Sequence, residues 1–221
     1  GGPEEMRFDM SKSEAVLWLR ILYPVWLFVG LFTYEYIPSV IMIAGGAAAT
    51  AASVATNEFL FRVGIAGSLL VQLIHIVVVL ILFQLFKSVD ETQAKLIVVL
   101  GLIGVPIAMV ATVFKAATLF LLNSPEAMMF WFDMNLLGIT VASIFWGLWL
   151  LPQGVLILKS GWFPKVFGYL MIAAGVAYTF MAFVEILFPS LTSLIFTLGM
   201  ITMGEVLFMI WLMFAGAKLK K

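Results

Sequence analysis

AKLIVVLGLIGVPIAMVATVFKAATLFLL, residues 94–122, is longer than the about 20 apolar residues that a helix needs to cross about 30 Å of bilayer hydrocarbon. It is read as a transmembrane helix. Past Lys95 its one charge is Lys115. An ammonium at that position either meets a partner inside the protein or snorkels to the headgroups with its stem along lipid. The first outcome gives a polar site, the second a hydrophobic scaffold.

Similar stretches recur along nearly the whole chain. Of its 221 residues 64% are hydrophobic and 11% charged, with a mean hydropathy of +1.16, whereas soluble domains carry about a quarter charged residues. The fold class is therefore all-α, a polytopic transmembrane helix bundle, with no room for a soluble domain. A formal net charge of zero gives no footprint for nucleic acid. The absence of cysteine excludes disulfides, thiolate nucleophiles and cysteine-ligated metals. A single histidine excludes His-rich zinc sites and bis-histidine haem, and neither a metal nor a cofactor is expected.

Proline, glycine and charge divide the chain into six spans near 14–36, 59–86, 93–122, 127–158, 165–187 and 191–217. A polar segment, 1–13, precedes them and a basic tail, 218–221, follows. The leading Gly-Gly-Pro is read as a cloning remnant ahead of Met6 or Met10, so residues 1–5 are set aside, and no cleaved signal peptide is expected. The turns KSVDETQAK (87–95) and KSGWFPK (159–165) and the tail KLKK gather lysines on one side. TYEYIPS (33–39), NSPE (123–126) and FPS (188–190), opposite, have neither lysine nor arginine. The positive-inside bias then puts both termini in the cytoplasm of a cell whose plasma membrane the chain crosses six times. Residues 38–57, Ala-rich and interrupted by Gly45-Gly46, are read as an outer-face segment with a short helix over the bundle, a re-entrant segment being the alternative. Asn57 is expected to cap the second span, with Arg62 one turn inside. Pro24 and Pro152 are expected to kink the first and fourth spans.

Each span carries one small or polar stripe. In the third, Gly101, Gly104, Ala108, Ala111, Lys115 and Thr118 recur at steps of three and four and share a face. The second aligns Gly64, Ser68, Gln72 and His75; the fourth Asp133, Thr140, Ser143, Gly147 and Gly154; the fifth Gly168, Gly175, Thr179, Ala182 and Glu185; the sixth Thr202, Glu205, Met209 and Gly216. Small residues mark close helix contacts and intramembrane charge avoids lipid, so these faces are expected to enclose a shared polar interior.

At about 1.5 Å per residue, Lys115, Asp133 and Glu185 lie roughly 6 to 12 Å below the outer helix ends, and His75 and Glu205 about 20 to 24 Å down. Asp133 and Glu185 are thus expected to hold Lys115. Lys115 against three carboxylates leaves two negative charges in excess, and buried uncompensated charge is not tolerated. A proton on Glu205 is the first choice of balance; a cationic His75, Arg62 bending in from the rim, or a bound cation are the others. His75 alone in an apolar helix also reads as a packing residue.

Three functions stay open at this point. The first is an outward-opening polar cavity that binds or moves a lipid, small amphiphile or cation, using Lys115, Asp133, Glu185, Glu205, His75, Gln72 and Arg62. The second is a structural or accessory subunit, partnered by itself or another membrane protein, whose ion pairs only set helix register. The third is a lipid-modifying enzyme with His75 or a carboxylate as base, although Ser68 and His75 share one helix and no G-x-S-x-G elbow occurs.

RILYPVWLFVG (20–30), AAATAASVATNEFLFRVGI (47–65) and FWGLWLLPQGVLILKSGWFPKVFGYLMIAAGVAY (145–178) together resemble a family of prokaryotic membrane proteins known as domain of unknown function 4386. The last is the most specific: a glycine-punctuated helix end, a lysine, Ser-Gly, an aromatic, Phe-Pro-Lys and a Gly-rich helix. The resemblance runs from about Arg20 to the last span. It implies six spans and carries no catalytic residue over.

Overall fold

The computed structural model describes residues 9–216, so residues 1–5 and the basic tail lie outside the described residues. Every element in that range is helical. The elements are α1 (Lys12–Leu31), a π-helical turn (Phe32–Tyr36), α2 (Ile37–Ile41), α3 (Gly46–Thr56), α4 (Glu58–Phe86), α5 (Glu91–Ala117), a 3-10 turn (Thr118–Phe120), α6 (Pro125–Leu148), α7 (Leu150–Ser160), α8 (Lys165–Leu187) and α9 (Thr192–Ala215). Six continuous helical stretches are long and apolar enough to span a bilayer: Lys12–Ile41, Glu58–Phe86, Glu91–Phe120, Pro125–Ser160, Lys165–Leu187 and Thr192–Ala215. The expected six-span, all-helical class is what the chain adopts.

Local chemistry sets the helix ends. Ser11 and Glu14 form a reciprocal capping box at the start of α1, the Ser11 hydroxyl accepting from the Glu14 N–H and the Glu14 carboxylate from the Ser11 N–H. Asp90 caps α5 by accepting from the Gln93 N–H. It also takes a 2.6 Å ion pair from Lys159. The Lys159 hydrogen bond, followed by that backbone donor, holds the Asp90 carboxyl below the ordinary carboxylate range. Gly45 and Gly46, at φ of +123° and +80°, turn the chain from α2 into α3, a conformation open to few other residues. With 11 residues, α3 is too short to cross, and it lies over the ends of α2, α4 and α6. Asn57 does not cap α4 as expected. Its amide donates back to the Ser53 carbonyl and closes α3 instead.

The six spans form a ring. Each packs on the next in chain order, and α9 closes onto α1. One hydrophobic core fills the lysine-rich half, with Leu19, Leu82, Phe86, Leu156, Phe163 and Phe208 among its members. A smaller one, including Ile37, Val54, Phe61, Met128 and Phe132, sits beneath α3. Phe28, Val110, Phe180, Phe196 and Phe214 point outward, an apolar surface that lipid covers. The lysine-bearing turns share one end, where Lys87 pairs with Asp9, Lys159 with Asp90, and Lys12 lies over the Trp162 ring.

Candidate functional site

The stripes predict burial well on two spans. Gly101, Gly104, Ala108, Ala111, Lys115 and Thr118 are all buried, as are Gly64, Ser68, Gln72 and His75. What they face is not one shared interior. Two cavities with no lining residue in common divide the polar groups.

The larger cavity, about 260 Å³, lies between α1, α4, α6, α8 and α9. His75 and Gln72 from one stripe and Glu205 from another meet here. The His75 Nε2–H donates to the Gly101 carbonyl at 3.0 Å, and the ring lies against Trp26 and Trp149, with centroids 5.3 and 4.5 Å away. In the neutral tautomer this leaves Nδ1 as an acceptor. Tyr34, Trp146 and Tyr178 complete an aromatic wall, and Glu35 joins Glu205 as a second carboxyl group. Tyr34 is within hydrogen-bonding reach of Gln72 and Ser68. Gln72 Oε1 and Trp146 Nε1 are both buried without a hydrogen-bond partner. A buried polar atom left unmatched costs about 1–3 kcal/mol, and two of these atoms stand on this one cavity.

Tyr34 and Glu35 were not singled out from the sequence, because TYEYIPS reads as a turn. The signal lay in Pro38. Its ring displaces the carbonyl four residues earlier, that of Tyr34, and offers no N–H to it. The backbone responds with a π turn in which the Ile37 N–H bonds the Phe32 carbonyl. The helix thus continues to Ile41, setting Tyr34 in the cavity wall and Glu35, which is exposed, at the cavity's rim. At about 1.5 Å per residue, the cavity runs from Glu205 and His75, about 15–17 Å from the lysine-rich helix ends, to Glu35, about 9 Å from the other end.

Lys115 is 8% exposed, and among the described residues its ammonium has no hydrogen bond and no carboxylate within 4 Å. The expected grip of Asp133 and Glu185 is therefore corrected. The reason is height. Glu185 accepts a 3.0 Å hydrogen bond from the Thr140 hydroxyl, two helical turns along α6 from Asp133. Asp133 stands level with Lys115 but is exposed, because Asn135 and Gly138 hold the face of α6 that meets α5: Asn135 Nδ2 donates to the Ala111 carbonyl, and a Cβ on Gly138 would strike Ala111. Arg62 does not bend inward either. Its side chain is 57% exposed and pairs with Glu58 at 2.8 Å.

What Lys115 touches is the Phe61 ring, 5.8 Å from Nζ to the centroid. Such a contact contributes about 1–2 kcal/mol, less than the several kcal/mol that desolvating an unpaired ammonium costs. Lys115 opens into the second cavity, about 100 Å³, shared with Ile37, Phe61, Asp133, Asn135 and Leu136. No group of three or more metal-ligating side chains occurs among the described residues.

Comparison with curated proteins and with solved structures found no match. The family comparison did: residues 21–216, from the middle of α1 to the end of α9, match the model of a family described as Domain of unknown function (DUF4386), and the chain belongs to that family.

Proposed function

We propose that this membrane protein binds a small organic cation or cationic amphiphile in the larger cavity, entering from the lysine-poor, outer side. The observation that carries the reading is the lining: two carboxyl groups, five aromatic residues and no lysine or arginine. Gln72 Oε1 and the carboxylates of Glu35 and Glu205 are acceptors, so the cavity suits a ligand that is positive or donates hydrogen bonds. Aromatic faces add about 2 kcal/mol per desolvated cation contact. The lysine-rich turns support cytoplasmic termini in a plasma membrane.

Trp26, Trp146 and Trp149 provide the readout. Titrating purified protein in detergent with dodecyltrimethylammonium is expected to change tryptophan fluorescence saturably. Glu205→Gln should weaken binding by about tenfold or more, the effect of removing one partner of a buried charge pair. Gly30 lines the cavity, and a Cβ there meets nothing within 4 Å, so Gly30→Phe should fill the space without disturbing the backbone and abolish the response. Equal affinity in both variants, or a preference for dodecanoate, would sink the proposal.

A further inference from the structure

The cavity at Lys115 has the opposite chemistry to the larger one. Its single buried charge is a cation with no counter-ion in contact, turned into a space with room for one compact headgroup. Two polar groups stand beside it. Asp133 is exposed at the rim, beyond 4 Å from Lys115, and Asn135, whose Nδ2 is held by the Ala111 carbonyl, has no partner on Oδ1 among the described residues. The remaining walls are apolar: Ile37, Pro38, Ile41, Met42, Phe132 and Leu136. Met42 and Leu136 are exposed on the lipid-facing surface, so the cavity is continuous with the bilayer rather than closed by protein. Lys115 lies five residues from the end of its span at Phe120, about 7 Å of rise, the depth at which lipid phosphates and glycerol backbones begin. Arg62, the other basic residue at this end, is committed to Glu58.

We infer that Lys115 anchors the phosphate of a membrane phospholipid, whose acyl chains leave the cavity along Leu136 and Met42. Asp133 sets the headgroup. Its carboxylate repels a second negative charge and accepts from an ammonium, so the site takes a zwitterionic, primary-amine headgroup of the phosphatidylethanolamine kind over an anionic one. The arrangement places opposite charges of the ligand on opposite charges of the protein, with Asn135 Oδ1 available to the same ammonium. Nothing in this assignment depends on what fills the larger cavity.

The test is native mass spectrometry of the full chain in detergent, offered palmitoyl-oleoyl phosphatidylethanolamine and phosphatidylglycerol in equal amounts. Wild type should retain the ethanolamine lipid preferentially. Lys115→Met should lose retention by at least about tenfold, and Lys115→Arg, which keeps the charge, should largely preserve it. Asp133→Asn should shift the preference toward phosphatidylglycerol, an outcome that a general loss of folding cannot produce. Unchanged lipid retention in Lys115→Met would overturn the proposal and leave Lys115 hydrated beside Asp133. Displacement of the lipid by millimolar glycerophosphoethanolamine would overturn the lipid assignment and give the site to a soluble phosphate ester. Dodecyltrimethylammonium binding should be unaffected in Lys115→Met, which separates this site from the larger cavity.

Discussion

Gly147 and Gly175, and Gly154 and Gly168, seven residues later in the fourth span and seven earlier in α8, bring α6, α7 and α8 into backbone contact. A Cβ on Gly147 would lie 2.7 Å from the Gly175 carbonyl oxygen, and one on Gly154 would lie 2.7 Å from that of Gly168. Thr179 Oγ1 and Ile172 Cγ1 would stand slightly nearer, at 2.5 and 2.6 Å, but the carbonyls are backbone, which does not rotate aside as a side chain does. The absence of a side chain is therefore what sets the helix separation, as expected for membrane bundles held by close packing rather than by expulsion of water. Gly147→Ala should force the helices apart and cost about 1–3 kcal/mol, the range for overpacking a tight contact. Gly199→Ala meets only Met181 Sδ at 4.0 Å and should be neutral. Melting temperatures of the two variants in the same detergent check this; equal values would show that the contact is looser than described.

Two prolines shape the helices that wall the larger cavity. Pro152 cannot donate to the Leu148 carbonyl, and the fourth span is interrupted there, α6 ending at Leu148 and α7 starting at Leu150. Trp149, at the interruption, lies against His75 and Trp26. Pro24, by contrast, leaves α1 continuous from Lys12 to Leu31. Pro38 acts through the π turn, which inserts one residue into the first span. Removing that extra residue would rotate Tyr34 and Glu35 by about 100° relative to the rest of the helix, a full residue step at 3.6 per turn. Pro38→Ala restores the missing N–H, so it should keep or raise the melting temperature while weakening dodecyltrimethylammonium by about tenfold, the equivalent of about 1.4 kcal/mol. Binding at wild-type strength would mean that the π turn has some cause other than the proline.

Apart from the Arg62–Glu58 pair at the opposite end, the ion pairs among the described residues gather at one end of the ring of six spans. Asp9, Lys87, Asp90 and Lys159 tie the N-terminal segment to the turns after α4 and α7. These pairs are exposed and individually weak, so their value is in orientation and loop order more than in stability. The native absence of cysteine makes the membrane orientation directly measurable. In intact cells, a cysteine at Ser160, among the lysine-rich turns, should be shielded from a membrane-impermeant maleimide, whereas one at Asn123 should react. The reverse pattern would invert the outward entry proposed for the larger cavity and would move the Lys115 cavity to the other leaflet.

Membrane class, span number and the buried faces of α4 and α5 follow from the sequence by itself, because long apolar runs and small-residue stripes at helical spacing are local properties of one segment. His75, Gln72 and Glu205 were recognisable for the same reason, whereas Asp133, near the end of its span, shares such a stripe and is exposed. Which polar groups meet was not local. It depends on how far each helix extends and how neighbours are offset along their axes, so counting residues from helix ends put Asp133 and Glu185 at one height when they stand two turns apart. The packing of six helices, and a π turn two residues ahead of a proline, decided that Glu35 shares a cavity with Glu205 and that Lys115 faces a space of its own.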